Sequence, residues 1–174
     1  MTTEKNRTTG KKPFDFTTYV EQIQTRPCFI CEIVKGNPEY RHHVIYEDDA
    51  AIAFLNKYPP LYGYVVVCPK EHREMVTSDF SADEYLALQR VVYQIGEAVR
   101  KSVPTERLYI LSLGSQQGNT HVHWHIAPLP PGVPFEKQQL EALGVRDGIL
   151  DLTDEEMGAM AAMIKSNLHL ETRG

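Results

Sequence analysis

Three histidines alternating with apolar residues, in Thr120-His121-Val122-His123-Trp124-His125-Ile126-Ala127-Pro128, hold the densest chemistry in this 174-residue chain. In a β-strand, alternation puts the three imidazoles on one face, about 6.6–7 Å between successive ones, and turns Val122, Trp124 and Ile126 to the core. The chain has seven histidines in all, so three in one short segment is more than a solvated polar face requires. Such a row can bind metal. It can equally handle protons and phosphoryl groups, because histidine titrates near neutral pH. The strand alone does not choose. Cys28-x-x-Cys31 has the spacing that lets two thiolates meet one zinc ion, although a redox couple or a buried apolar corner uses the same spacing. His72, at the end of an apolar run, is a candidate third ligand, and one histidine of the row would complete a Cys2His2 set. Cys68 lies inside an apolar run and reads as inert core.

The elements around these residues follow from patterning. Phe14 to Ile23 suits a short helix ended by Pro27, which puts the cysteine pair at a structural junction. The β-prone runs 43–46, 51–55 and 64–68, separated by turn-formers, predict an antiparallel meander. Ser81-Ala82-Asp83-Glu84 is a capping box. Behind it, Leu86, Leu88, Val91, Val92, Ile95 and Val99 predict a long helix with one buried stripe that stops before Pro104. Leu108–Leu111 and Val122–Ile126 read as two more strands joined by a loop through Gln117, Gly118 and Asn119. The proline-rich run from Pro128 to Pro134 is expected to leave the sheet, because proline lacks the donor that a ladder needs. Thr153-Asp154-Glu155-Glu156 opens a second capped helix with Met157, Met160, Ala161 and Ile164 on one face. The expected fold is α+β: an antiparallel sheet of about five strands, a long helix after the third strand and a C-terminal helix.

Composition narrows the function. A chain of this length, 42 % apolar, suits one domain, expected over residues 13–174 behind a disordered tail at 1–12. A net charge of −5 argues against a broad nucleic-acid footprint, and no apolar run approaches the length that spans a bilayer. A soluble cytoplasmic protein is expected. His42, His43 and His169 read as ordinary surface or packing residues.

The segment His121-Val122-His123-Trp124-His125-Ile126-Ala127 is similar to the His-φ-His-φ-His-φ-φ signature of the histidine-triad (HIT) nucleotide-binding family. Cys28-Phe29-Ile30-Cys31-Glu32-Ile33-Val34-Lys35-Gly36 resembles the amino-terminal element of its zinc-containing bacterial-type members. Val44–Asp49, Ala53-Phe54-Leu55-Asn56 and Val66-Val67-Cys68-Pro69-Lys70-Glu71-His72 follow in the family's order. The resemblance covers about residues 28–128 and leaves 129–174 as a C-terminal extension.

That resemblance implies a homodimer that binds purine nucleotides in a cleft beside the histidine strand. It implies a structural zinc held by Cys28, Cys31, His72 and His121, four protein ligands with no place for an activated water. His123 is then the nucleophile that attacks the α-phosphorus to give a nucleotidyl-histidine, and His125 donates to a nonbridging oxygen. The expected activity is a nucleotide hydrolase, phosphorylase or nucleotidyltransferase acting on dinucleoside polyphosphates or nucleoside phosphoramidates. The alternatives are a nucleotide sensor or scaffold of the same fold and a zinc-stabilised interaction module. Gln117 and Asn119 are expected at phosphate oxygens, Asn56 at the ribose in place of an acidic residue, and Ile30, Ile33, Phe54 and Leu55, with Phe29, around the base. The sequence departs from the family at Asn56, at Gly118 where serine is common, and at Tyr64 where histidine is frequent. The loop after Leu113 is short. Trp124 is similar to branches that act on dinucleoside polyphosphates.

Overall fold

The computed structural model describes residues 10–169. In chain order the elements are β1 (Lys11–Lys12), α1 (Phe16–Thr25), α2 (Phe29–Val34), a 3-10 turn at Pro38–Tyr40, β2 (Val44–Glu47), β3 (Ala51–Leu55), β4 (Val65–Pro69), α3 (Ala82–Ser102), β5 (Arg107–Ser112), β6 (Trp124–Leu129), a 3-10 turn at Phe135–Lys137, α4 (Leu140–Leu143), β7 (Ile149–Leu150) and α5 (Asp154–Ser166). The fold is α+β. Its main sheet has five antiparallel strands in the order β2-β3-β4-β6-β5, with the long helix after the third of them and the C-terminal helix expected from the two capping boxes.

Both capping boxes form. Ser81 and Glu84 exchange hydrogen bonds at the start of α3, and Thr153 and Glu156 do so at the start of α5, which satisfies donors that helix starts otherwise leave unpaired. The stripe Leu88, Val91, Val92, Ile95 and Val99 is buried against one face of the sheet, where Ala53, Leu55, Val65, Val67, Trp124 and Ile126 meet it. Leu86 does not join that stripe and is 63 % exposed. At about 100° per residue it lies opposite the stripe's centre, on the same outward line as Tyr93. Met160, Ala161 and Ile164 of α5 close the same core.

The other sheet face carries Ile52, Phe54, Val66 and Cys68, packed on Ile30 with Phe29 and Ile33 alongside. Period-two alternation sorts the two sets. Cys68 is fully buried and burial pushes its thiol well up, as expected of inert core.

Three expectations about boundaries are corrected. The strand expected from Val122 begins at Trp124 and runs to Leu129. Upstream of it the chain is held from the other side: Val122 N–H donates to the Arg73 carbonyl at 2.7 Å, outside the ladder. Downstream, β6 continues through Pro128, where the run was expected to leave the sheet. The β4 pairing ends at Val65 opposite Ile126, and Pro128 faces only Leu108 of β5, so its missing donor has no β4 partner to lose. The expected tail at 1–12 falls, for residues 1–9, outside the described residues. Lys11 and Lys12 instead pair with Leu150 and Ile149, and the Lys12 ammonium donates to Asp151 at 2.7 Å.

Candidate active site and metal cluster

Cys28 caps α2 and Cys31 sits in its first turn, so both sulfurs project to one side, as residues three apart on a helix do. Opposite them stand His72, just past β4, and His121, just before β6. Cys28 Sγ lies 3.4 Å from His121 Nδ1, Cys31 Sγ lies 3.3 Å from His72 Nδ1 and 3.6 Å from His121 Nδ1. All four donor atoms fall within 4.8 Å of one another. A tetrahedral ion with thiolate and imidazole bonds of about 2.3 and 2.05 Å sets sulfur and nitrogen ligands about 3.5 Å apart, so the cluster fits one metal ion.

The outer contacts orient the rings for that task. His121 Nε2–H donates to the Pro69 carbonyl at 2.9 Å, and His72 Nε2–H to Glu74 at 3.1 Å. Each leaves its Nδ1 lone pair toward the sulfurs, the arrangement metal-binding histidines adopt. Burial keeps His121 neutral, with a pKa lowered to about 4. Burial, with Cys28 alongside, pushes the Cys31 thiol up to about 11. A cation among these groups would reverse that thiol's preference.

Beside the cluster opens a cleft of about 360 Å³ with His123 and His125 on its wall. His125 pairs in register with Val66, and Val66 with Phe54, so the three side chains line one row on the sheet face opposite α3. His123 donates Nδ1–H to the His121 carbonyl at 2.7 Å, which leaves Nε2 as the nitrogen with the lone pair. Burial lowers its pKa, so the ring is neutral at pH 7. The His123 and His125 rings are 4.8 Å apart in a T-shaped contact. Burial and the neighbouring His123 bring His125 down to about 4, and its buried Nδ1 has no hydrogen-bond partner. Tyr64, where histidine is frequent in the family, packs edge-on against His125 at 5.7 Å.

Of the residues expected around a nucleotide, Phe29, Phe54, Asn56, Asn119, His123 and His125 line this cleft. Four do not. Leu55 lies in the core on the opposite sheet face, since a strand sends neighbours to opposite sides. Ile30 is fully buried beneath the α2 face and Ile33 packs beside it, while the half-buried Phe29, one residue before Ile30, takes the position on the cleft wall. Gln117 lines a second depression next to the cleft.

Several lining residues escaped the sequence reading. His42, read as ordinary packing, stands in the cleft with its ring 5.0 Å from Phe54, its Nδ1–H on the Tyr40 carbonyl. Lys57 and Tyr58 follow Asn56 there. Tyr19 comes from α1 and Arg26 caps its C-terminal end, and the helix lies across the loop before β6. Asn119, held at a φ of +53°, donates to the Tyr19 hydroxyl at 3.0 Å, and Arg26 donates to the Asn119 amide oxygen at 3.4 Å. The signal for α1 was the departure at Gly118. A Cβ there would lie 2.9 Å from Ile23 Cδ1, so the glycine makes room for the helix.

The sequence and the fold are both similar to known proteins. The HIT domain family model matches residues 37–131, more than half of the chain, and the chain belongs to that family. An uncharacterised HIT-like protein of Saccharolobus solfataricus is 33 % identical over 104 residues, covering 58 % of this chain and 73 % of its own. The adenosine 5′-monophosphoramidase of Schizosaccharomyces pombe is 30 % identical over 133 residues, 67 % of this chain and 92 % of its own. The crystal structure of a zinc-bound histidine triad family protein from Mycobacterium smegmatis superposes with a TM-score of 0.62 at 23 % identity, covering 81 % of this chain and 92 % of the other. Among the described residues no helix is long and apolar enough to cross a membrane.

Proposed function

We propose that this protein cleaves purine nucleotides at the α-phosphorus through a nucleotidyl-His123 intermediate. The observation that carries the reading is the 2.7 Å hydrogen bond from His123 Nδ1–H to the His121 carbonyl. It fixes the tautomer, keeps Nε2 unprotonated in the cleft and aligns it for attack, the requirement for a neutral histidine nucleophile. The Nε2 lone pair forms the N–P bond, and the electron pair of the breaking bond departs with the leaving group. Water, or another acceptor such as phosphate, then attacks the same phosphorus and returns Nε2 to its starting state. The side of His125 toward the cleft meets the charge that grows on the nonbridging oxygens. The related phosphoramidase of S. pombe supports a nucleotide substrate.

The cluster of Cys28, Cys31, His72 and His121 is assigned to zinc with a structural task. Thiolate and imidazole donors suit that ion, and four protein ligands leave no open position for water. When bound, it would tie α2 to the segment that carries His123. A homodimer is proposed along the edge strand β5. There Ile110 is 47 % exposed, next to an α3 surface that carries Tyr93, and an unpaired edge favours a second copy of itself.

Turnover tests the reading. Incubation with a nucleoside phosphoramidate and with a dinucleoside polyphosphate, resolved by chromatography, is expected to release nucleoside monophosphate with the native chain and not with His123→Ala. Tight nucleotide binding without product from the native chain would replace the enzyme with a nucleotide sensor.

A further inference from the structure

The cleft does not end at His123. A second depression of about 220 Å³ adjoins it, lined by Gln24, Arg26, Gln116, Gln117, Asn119 and Thr120 among others, and Arg26 and Asn119 belong to both. We propose that this depression receives the leaving group, that Arg26 selects for a leaving group built on a phosphate chain, and that α1 exists in this protein to deliver it. The inference rests on the nucleotide-cleaving reading and names the half of the substrate that reading leaves open.

Charge and packing support the assignment. No carboxylate lines the second depression. Among the described residues Arg26 forms no ion pair. Its guanidinium lies against the rings of Tyr19 and Phe29, 5.5 and 5.7 Å from their centroids, in a half-buried residue, and makes one long hydrogen bond, to Asn119 at 3.4 Å. A guanidinium held on aromatic faces keeps its remaining donors for an anion. The His123 ring packs on the same Phe29 ring, 6.3 Å between centroids, which places the guanidinium and the nucleophile on one side chain. The position is built: α1 sits on the loop only because residue 118 has no side chain.

The chemistry agrees. When Nε2 bonds to the α-phosphorus, the breaking P–O bond leaves its electron pair on the bridging oxygen. Negative charge then grows at the near end of the departing phosphate chain. A phosphate leaves as an anion and needs a cation, whereas an amine must take up a proton. The second depression is lined by no carboxyl, imidazole or ammonium group to give one, and its single thiol, Cys28, belongs to the metal cluster. The geometry favours the phosphate chain.

The test uses the full, zinc-loaded chain in a His123→Asn background, so that bound nucleotide persists. AMP fills the cleft alone and ATP extends its β- and γ-phosphates into the second depression. Calorimetric titration should show ATP binding tighter than AMP. Arg26→Gln should weaken ATP tenfold or more, the scale of a charge-assisted hydrogen bond, and change AMP by less than twofold. Arg26→Lys, which keeps the charge but loses the fork, should fall between. Parallel weakening of AMP and ATP would reduce Arg26 to a packing role for α1, and equal affinity for the two in the parent would leave the depression without a phosphate site. Either result overturns the inference while AMP binding keeps the nucleotide reading alive. Binding of neither nucleotide sinks both.

Discussion

Replacing Gly118 by alanine should undock α1 without unfolding the protein. The new Cβ would stand 2.9 Å from Ile23 Cδ1 and 3.0 Å from Cγ1, well inside the ordinary carbon contact of about 3.5–4.0 Å. Gly118 has no positive φ, so the cost is steric and not backbone strain. Overpacking of this kind typically costs about 1–3 kcal/mol. The strain falls on a helix with little to resist it, since none of the α1 residues is fully buried, while α3 buries eight. An opening cost reduced by that amount raises the undocked population by about 5- to 150-fold. Native-state hydrogen exchange read by mass spectrometry should therefore show protection over 16–25 falling by about that factor, with α3 unchanged. Ile23→Ala in the same chain should restore most of it, because the clash is with that side chain. Equal loss of protection in α1 and α3, or a double variant no better than Gly118→Ala, would refute the packing argument.

Three further outcomes follow from other parts of the molecule. Glu84 is held down to about 2, chiefly by the Arg73 guanidinium and then by Ser81. A depressed carboxylate stabilises the fold above its ordinary pKa and loses that contribution as pH falls, so the melting-temperature gap between the native chain and Glu84→Gln should close between about pH 5 and pH 2. A gap independent of pH would contradict this. Cys28→Ala should remove one equivalent of zinc, measured by elemental analysis, and lower stability by about 3 kcal/mol or more, about 10 °C in melting temperature; an unchanged melt would detach the cluster from the fold. Ile110→Lys at the edge strand should convert a dimer to a monomer in sedimentation analysis, and a dimer that persists would move the interface elsewhere.

What the sequence disclosed depended on how local each signal was. The helix starts were legible because Ser81 with Glu84, and Thr153 with Glu156, complete their hydrogen bonds within four residues. The clustering of Cys28, Cys31, His72 and His121 and the place of His123 beside the cleft were legible through resemblance, since side-chain types at fixed spacing carry them. The resemblance pointed to Phe54 and Leu55 together; strand alternation allows only one of the two neighbours to face the cleft, and which one depends on the face that α3 covers, a tertiary fact. The start of β6 was misplaced because tertiary contacts hold 121–123: the Arg73 carbonyl takes the Val122 N–H, and Pro69 takes the ring of His121. Nothing local in Tyr19, Arg26, Lys57 or His42 marks a cleft. Their role depends on where α1 and the turn before β2 come to rest, and only the glycine at 118 hinted at it.

The central claim is that His123 becomes covalently nucleotidylated, and intact-protein mass after brief exposure to adenosine phosphoramidate or a diadenosine polyphosphate tests it most directly. The expected result is an adenylyl increment on the native chain that is absent from His123→Ala. A native chain that binds the nucleotides, stays folded and never gains that mass, even when quenched within milliseconds, would contradict the account.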